Sequence, residues 1–398
     1  MTFTYTNDQG FPHHVCDIHG IRVSQLPKES NPSITQDTAN ATNTTQPPSS
    51  TIREWRSLGK GNCGSVWTAG NANWVIKRED CSQTRFLWKE YYIQNRIHSA
   101  LSDIPNAVLI PHSLWYTSPP DTWHFPEPEM EACNTMCSER IPPLSRSFRD
   151  SLIDHAIPKH AESAKQLDTD CIARLYLGKY RTGGNAAHYS LKNLPVWLNV
   201  LQELRMPTNE YAAIMGQTLA LLHWAAEIDA NDVEFVLGSP RQLAGPQSSS
   251  LESKIETIAE LKYNTSTHLG YGMQQEPSQD LVVDEGSQVS SLWILDFDCC
   301  DAITMDVTGA EKAAVAVVRN DPYTPKPCQL EDHDYELWKA FRDAYLAKGA
   351  QVVKLRGLDK DLPDIFIQRL ELFFQMKKEG KELPKFHRGP FCASLSQQ

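Results

Sequence analysis

Three groups of side chains in this 398-residue chain have the types and spacing for chemistry. In LGKGNCGSVW, Gly59, Gly61 and Gly64 match G-x-G-x-x-G. A backbone without Cβ atoms can approach phosphate oxygens and aim N–H groups at them, although a plain hairpin turn has the same spacing. WVIK then puts Lys77 at the end of a strand-like run, where an ammonium can neutralise phosphate charge, and Glu90 in FLWKEYYIQNRI can orient it. A surface salt bridge is the simpler account of that pair. The third group is acidic: Asp229, Asp232 and Glu234 in EIDANDVEFVL, and Asp296 and Asp298 in WILDFDCC. Helix capping by Asp229 or Asp232 and a solvated Asp298 are the alternatives to a site.

The order of glycine loop, strand lysine and helix glutamate resembles the first lobe of protein kinases and aminoglycoside phosphotransferases. In that resemblance EIDANDVEFVL is similar to the catalytic loop, with Asp229 at the catalytic aspartate and Glu234 where the family has a metal-binding asparagine. WILDFDCC resembles the metal-binding loop, with Asp296 at the metal aspartate and Asp298 replacing a glycine. ARLYLGKYR is then the strand and hinge between lobes. The likeness covers most of residues 52–300. It implies that five acids meet in one cleft, where like charges cost stability unless metal ions or a cationic substrate compensate. A guanidinium suits such a site, because it stays charged and pairs with carboxylates through two bonds.

DANDVEFVL, LWILDFD, RNDPYTPKP and ELWKAFRDAYL also resemble a fungal family with a domain of unknown function, often labelled zinc-finger-like. That family includes arginine-containing cyclodipeptide synthases. The resemblance implies that arginyl-tRNA and a second aminoacyl-tRNA are the substrates and that no cofactor is required. Asp232 or Glu234 is then the base for the α-amine, and Asp229, Asp296 or Asp298 grips the guanidinium. The glycine loop, Lys77 and the C-terminal basic tract of Lys377, Lys378, Lys381, Lys385 and Arg388 would meet tRNA phosphates. The other reading is a kinase of a small cationic metabolite, with Asp229 as base, ATP as donor and magnesium on Asp296 and Glu234. A pseudokinase binding module is the third.

The elements that must position these residues follow from periodicity. TRFLWKEYYIQNRIHSAL spaces Phe86, Trp88, Tyr92, Ile93, Ile97 and Leu101 as a helix, and NEYAAIMGQTLALLHWAAEI does so with Ile214, Leu221, Leu222 and Ala225. VEFVL and LWILDF read as strands, and YELWKAFRDAYL and PDIFIQRLELFFQMKKE as amphipathic helices. Strands first and helices later predict an α+β, bilobal, kinase-like fold. Its divisions are an N-terminal segment at 1–28, a disordered linker at 29–51, an N-lobe with an insertion at 52–181, and a helical C-lobe at 182–398. The C-lobe carries a polar insertion at about 240–291, with a short helix at LESKIETIAELK.

A net charge of −11 argues against a generally basic, nucleic-acid-coating protein but leaves room for a local basic patch. No apolar run approaches a membrane span, and MTFTYTNDQGFPHH lacks a secretory pattern, so the expectation is a cytoplasmic protein with its ten cysteines reduced. His13, His14, Cys16 and His19, with Cys133 and Cys137, lack standard zinc spacing, so no metal ligand is assigned. Cys299, Cys300 and His223 read as packed core residues.

Overall fold

A computed structural model describes the backbone of residues 3–6 and 12–15, and residues 55–61, 63–70, 72–80, 86–119, 130–166, 170–181, 194–241, 290–327 and 332–386. The linker at 29–51, the helix expected at LESKIETIAELK, and Cys16, His19 and Arg388 lie outside them. Phe3–Thr6 (β1) and Pro12–Val15 (β2) form an antiparallel pair.

The first lobe is a five-stranded sheet. Its strands are Trp55–Lys60 (β3), Ser65–Ala69 (β4), Trp74–Arg78 (β5), Ser113–Thr117 (β6) and Thr135–Glu139 (β7). All neighbours are antiparallel, in the order β3-β4-β5-β7-β6. Helix α1, Leu87–Leu101, enters the chain between β5 and β6 and packs on this sheet. Its buried stripe is Leu87, Glu90, Ile93, Gln94, Ile97 and Leu101. The helix is rotated from the all-apolar face that periodicity predicts: Phe86 is exposed and Trp88 and Tyr92 are half-buried. The rotation turns Glu90 inward.

The chain leaves β7 through residues 140–145 and forms α2 (Arg146–Ala156) and α3 (Ala161–Lys165). Ala173–Tyr176 (β8) follows, then Leu194–Trp197 (β9), α4 (Leu198–Glu203) and α5 (Thr208–Trp224). Glu234–Gly238 (β10) and Ser291–Leu295 (β11) are the hairpin expected at VEFVL and LWILDF. The hinge expectation for ARLYLGKYR needs correction. Its strand β8 pairs with β10 and β9 in a second sheet, order β11-β10-β8-β9, because the alternating burial of Ala173 and Leu175 suits a sheet with one covered face.

Helices α6 (Val307–Arg319), α7 (Asp332–Arg356) and α8 (Leu362–Lys378) complete the second lobe. Helix α5 is buried along most of its length and lies against α7. Gly216 makes that approach possible: a Cβ there would lie 2.2 Å from Phe341 O. The lobes join where Leu109, in the loop after α1, exchanges backbone hydrogen bonds with Leu292 and Ile294 of β11, each 2.9 Å. The strand order, the helix inserted between β5 and β6, and the helical second lobe make this an α+β, bilobal, kinase-like fold. Among the described residues no helix is long and apolar enough to cross a membrane.

Candidate active site

The two acidic words, about sixty residues apart in the chain, are stitched together by backbone. Asp229 N–H donates to Asp301 O at 2.9 Å, and Asp229 Oδ1 accepts from Asp301 N at 2.9 Å and Asn231 N at 3.1 Å. Asn231 Nδ2 donates to Cys299 O at 3.2 Å, and Ile228 bridges Ala302. Beyond this knot the β10–β11 hairpin sets Glu234 opposite Leu295, so Glu234 and Asp296 emerge on the same rim. Asp232 and Asp296 take φ of +64° and +69°, the left-handed region that Asp tolerates better than most residues. Such strain collects at functional turns.

The structure divides the five acids. Asp229 is 4 % exposed, and burial lifts its carboxyl to about 6 against the two amide bonds and Lys312, whose Nζ is 3.9 Å away. It braces the turn. Glu234 faces Arg174 of β8 in a fork, with Nε to Oε2 at 3.1 Å and Nη2 to Oε1 at 2.5 Å. Asp296 is half-buried; burial raises its pKa well above the usual range, with Lys77 opposing and Glu90, Asp298 and Glu234 adding to the rise. Asp232, half-buried, lies with buried Asp298 and Cys299 so that one ligand atom of each falls within 4.8 Å of the others.

Lys77 and Glu90 meet, as their positions predict, in a close ion pair beneath the β3–β4 hairpin. Burial pulls the Lys77 ammonium down, but Glu90, Asp296 and Asp298 together outweigh it and hold the charge. The glycines divide as well. A Cβ on Gly64 would fall 1.6 Å from Arg78 O, so strand pairing alone demands glycine there. At Gly59 and Gly61 an added Cβ meets nothing within 4 Å, and Gly61 N–H closes the turn on Gly64 O at 2.8 Å. Among the described residues, nothing packs closely enough to require those two glycines.

The expectation that the acids need external cations is corrected in part, because the chain supplies its own. Arg174 answers Glu234, Lys312 approaches Asp229, Lys89 of α1 binds Asp301 at 2.6 Å, and Lys77 serves Glu90 and Asp296. None of Arg174, Lys89 or Lys312 follows from the motif reading. Arg174 had a signal: in Ala173–Tyr176 the alternation puts Arg174 and Tyr176 on the face away from Ala173 and Leu175. The C-terminal tract is also engaged with the chain itself. Lys377 donates to Val318 O at 2.9 Å and Asp321 at 3.2 Å, Lys381 lies 2.6 Å from Glu379 and Lys385 3.4 Å from Glu382.

The remaining candidates pack. His223 Nδ1 lies 2.9 Å from Tyr345 Oη in the core of the second lobe, and burial lowers its pKa to about 3. Cys299 and Cys300 are buried beside the acidic turn, and Cys137 is buried in the first sheet.

A family model described as "Zinc finger protein" matches residues 292–357, which hold most of β11, the Asp296–Asp301 turn, α6 and α7. Within that span the sequence holds Cys299, Cys300, Cys328 and His333, without the paired spacing of a zinc finger, and Cys300 Sγ packs 3.5 Å from Asn231 O. No curated protein matches the chain. Among solved structures, an ethanolamine kinase of Plasmodium vivax is similar at 10 % identity and a TM-score of 0.20, over 82 % of this chain and 83 % of that one. The kinase-like fold is carried instead by the strand order and the Lys77–Glu90 pair.

Proposed function

We propose that this protein is an arginine-containing cyclodipeptide synthase, joining the arginyl group of a charged tRNA to a second aminoacyl group on a kinase-like scaffold. The observation that carries the reading is the Glu234–Arg174 fork. A phosphotransferase of this fold would need Glu234 and Asp296 to share magnesium. Both Glu234 oxygens already accept from a guanidinium, whose charge opposes a divalent cation at that carboxylate, although Asp232, Asp298 and Cys299 lie close enough together to hold one. Acyl transfer from tRNA has no such need, since the ester is already activated.

Asp232 is the base that receives the α-amine proton, and Asp296, with Asp298 behind it, pairs with the substrate guanidinium. The open hairpin at Gly59 and Gly61 lets the phosphates of the tRNA end approach its backbone, and Lys77 supplies the positive charge. Asp229 holds the turn that carries Asp232. One feature favours the phosphotransferase alternative: the Lys77–Glu90 pair lies under an open glycine hairpin beside Asp296.

Incubating purified protein with arginyl-tRNA and a pool of charged tRNAs separates the two by mass spectrometry of the small products. A cyclic dipeptide containing arginine is expected. No such product, together with transfer of the γ-phosphate of ATP to a cationic acceptor, would overturn the synthase reading.

A further inference from the structure

We propose that Arg174 is a catalytic residue, the fixed cation that receives the negative charge of the acyl-transfer intermediate. The inference rests on the synthase reading and adds to it a group that no motif contains.

Arg174 is more than a counter-ion for a misplaced glutamate. Nε and Nη2 are spent on Glu234, which leaves Nη1 outside the fork. Its side chain remains 33 % exposed while that of Glu234 is 11 % exposed, so the carboxylate is the buried anchor and the guanidinium is the presented group. Tyr176 hydrogen-bonds the guanidinium, and Tyr176 and Tyr323 stand edge to face with centroids 5.0 Å apart. Burial would lower the charge of Arg174, but Glu234 outweighs it, so the cation is permanent. The other cations described at the site, Lys77, Lys89 and Lys312, face Glu90, Asp301 and Asp229. A positioned guanidinium in a partly desolvated cleft is suited to charge that develops during a reaction, since it needs no reorganisation when that charge appears.

In the transfer, the α-amine of one aminoacyl group attacks the ester carbonyl of the other. The C–N bond forms, and the carbonyl electron pair moves onto oxygen facing Arg174. As that pair returns, the C–O bond to the tRNA ribose breaks. The proton lost by the amine passes through Asp232 to the departing ribose oxygen. The products are an amide and a tRNA hydroxyl, with no net charge change.

Arg174→Lys keeps a charge but loses the fork, and Arg174→Ala leaves a guanidinium-sized space beside Glu234. Because Arg174→Ala could unfold the protein by stranding Glu234, the double variant Arg174→Ala/Glu234→Leu removes both charges. In folded protein, Arg174→Lys and the double variant should lower kcat for dipeptide formation by about 100- to 1000-fold. KM for arginyl-tRNA should stay within about threefold, as expected when only transition-state binding is lost. Methylguanidinium should restore part of the rate to Arg174→Ala and none to the double variant. Wild-type kcat in either folded variant, or a loss confined to KM, would overturn the assignment. If the wild-type protein makes no dipeptide, the synthase reading falls and this role with it; active wild type with equally active variants sinks Arg174 alone.

Discussion

At the scale of the residue, Asp229 separates a structural acid from a reactive one. Its carboxyl is held at about 6, above the ordinary 3.8, chiefly by burial. Between those values the folded state keeps a proton that the unfolded chain releases, so stability falls as pH rises through this window and levels off above it. The shift of roughly 2 units corresponds to about 3 kcal/mol. Asp229→Asn retains the Oδ1 acceptor for both amides and does not ionise. Its stability relative to wild type, from urea unfolding at stepped pH, should rise by about 3 kcal/mol from pH ~3 to ~7, most of it between ~4 and ~6, and then stay constant. A difference that ignores pH would mean that Asp229 titrates alike in both states. The word DANDVE was legible as a site, but the division of labour within it was not. Burial and the amides of Asn231 and Asp301 made Asp229 a brace, and an arginine from another strand took Glu234.

At the scale of the element, the glycine hairpin contains two kinds of glycine that the motif alone cannot tell apart. Gly64→Ala drives a methyl into Arg78 O, which belongs to the backbone of β5 and cannot swing aside. A substitution of this kind should cost more than about 3 kcal/mol and lower the melting temperature markedly. Gly59→Ala and Gly61→Ala should keep stability within about 0.5 kcal/mol, since their Cβ atoms enter open space, yet weaken any phosphate-bearing ligand by blocking its approach. Thermal melts of the three variants test this, and a Gly61→Ala protein as unstable as Gly64→Ala would contradict it. Helix α1 teaches the same lesson from the other side. Its extent was readable to within a turn, but its buried face was not. Pairing with Lys77 pulled Glu90 into the stripe and pushed Phe86 out.

At the scale of the whole molecule, the net charge of −11 leaves acids in excess, yet many described lysines and arginines are paired, and the C-terminal lysines illustrate the consequence for partners. Lys377 ties α8 to Val318 and Asp321 beside α6, so its reversal reports on stability. The proposal that this tract meets tRNA is better put to the exposed Lys378, Lys381 and Lys385. Reversing these three to glutamate should lessen the salt dependence of tRNA binding by about 0.7 to 0.9 in log–log slope for each phosphate no longer neutralised. An unchanged slope would remove the tract from the interface. The sequence by itself determined the order of motifs, the VEFVL and LWILDF strands, the main helices and hence the two-lobed α+β class. These rest on local periodicity and on residues that act through their own backbone. Tertiary structure decided which strand β8 would join, which acids would face the cleft, and that Arg174, Lys89 and Lys312 would neutralise much of their charge. Those outcomes depend on partners roughly 60 to 210 positions away in the chain, and a local pattern is blind to the field of a distant charge.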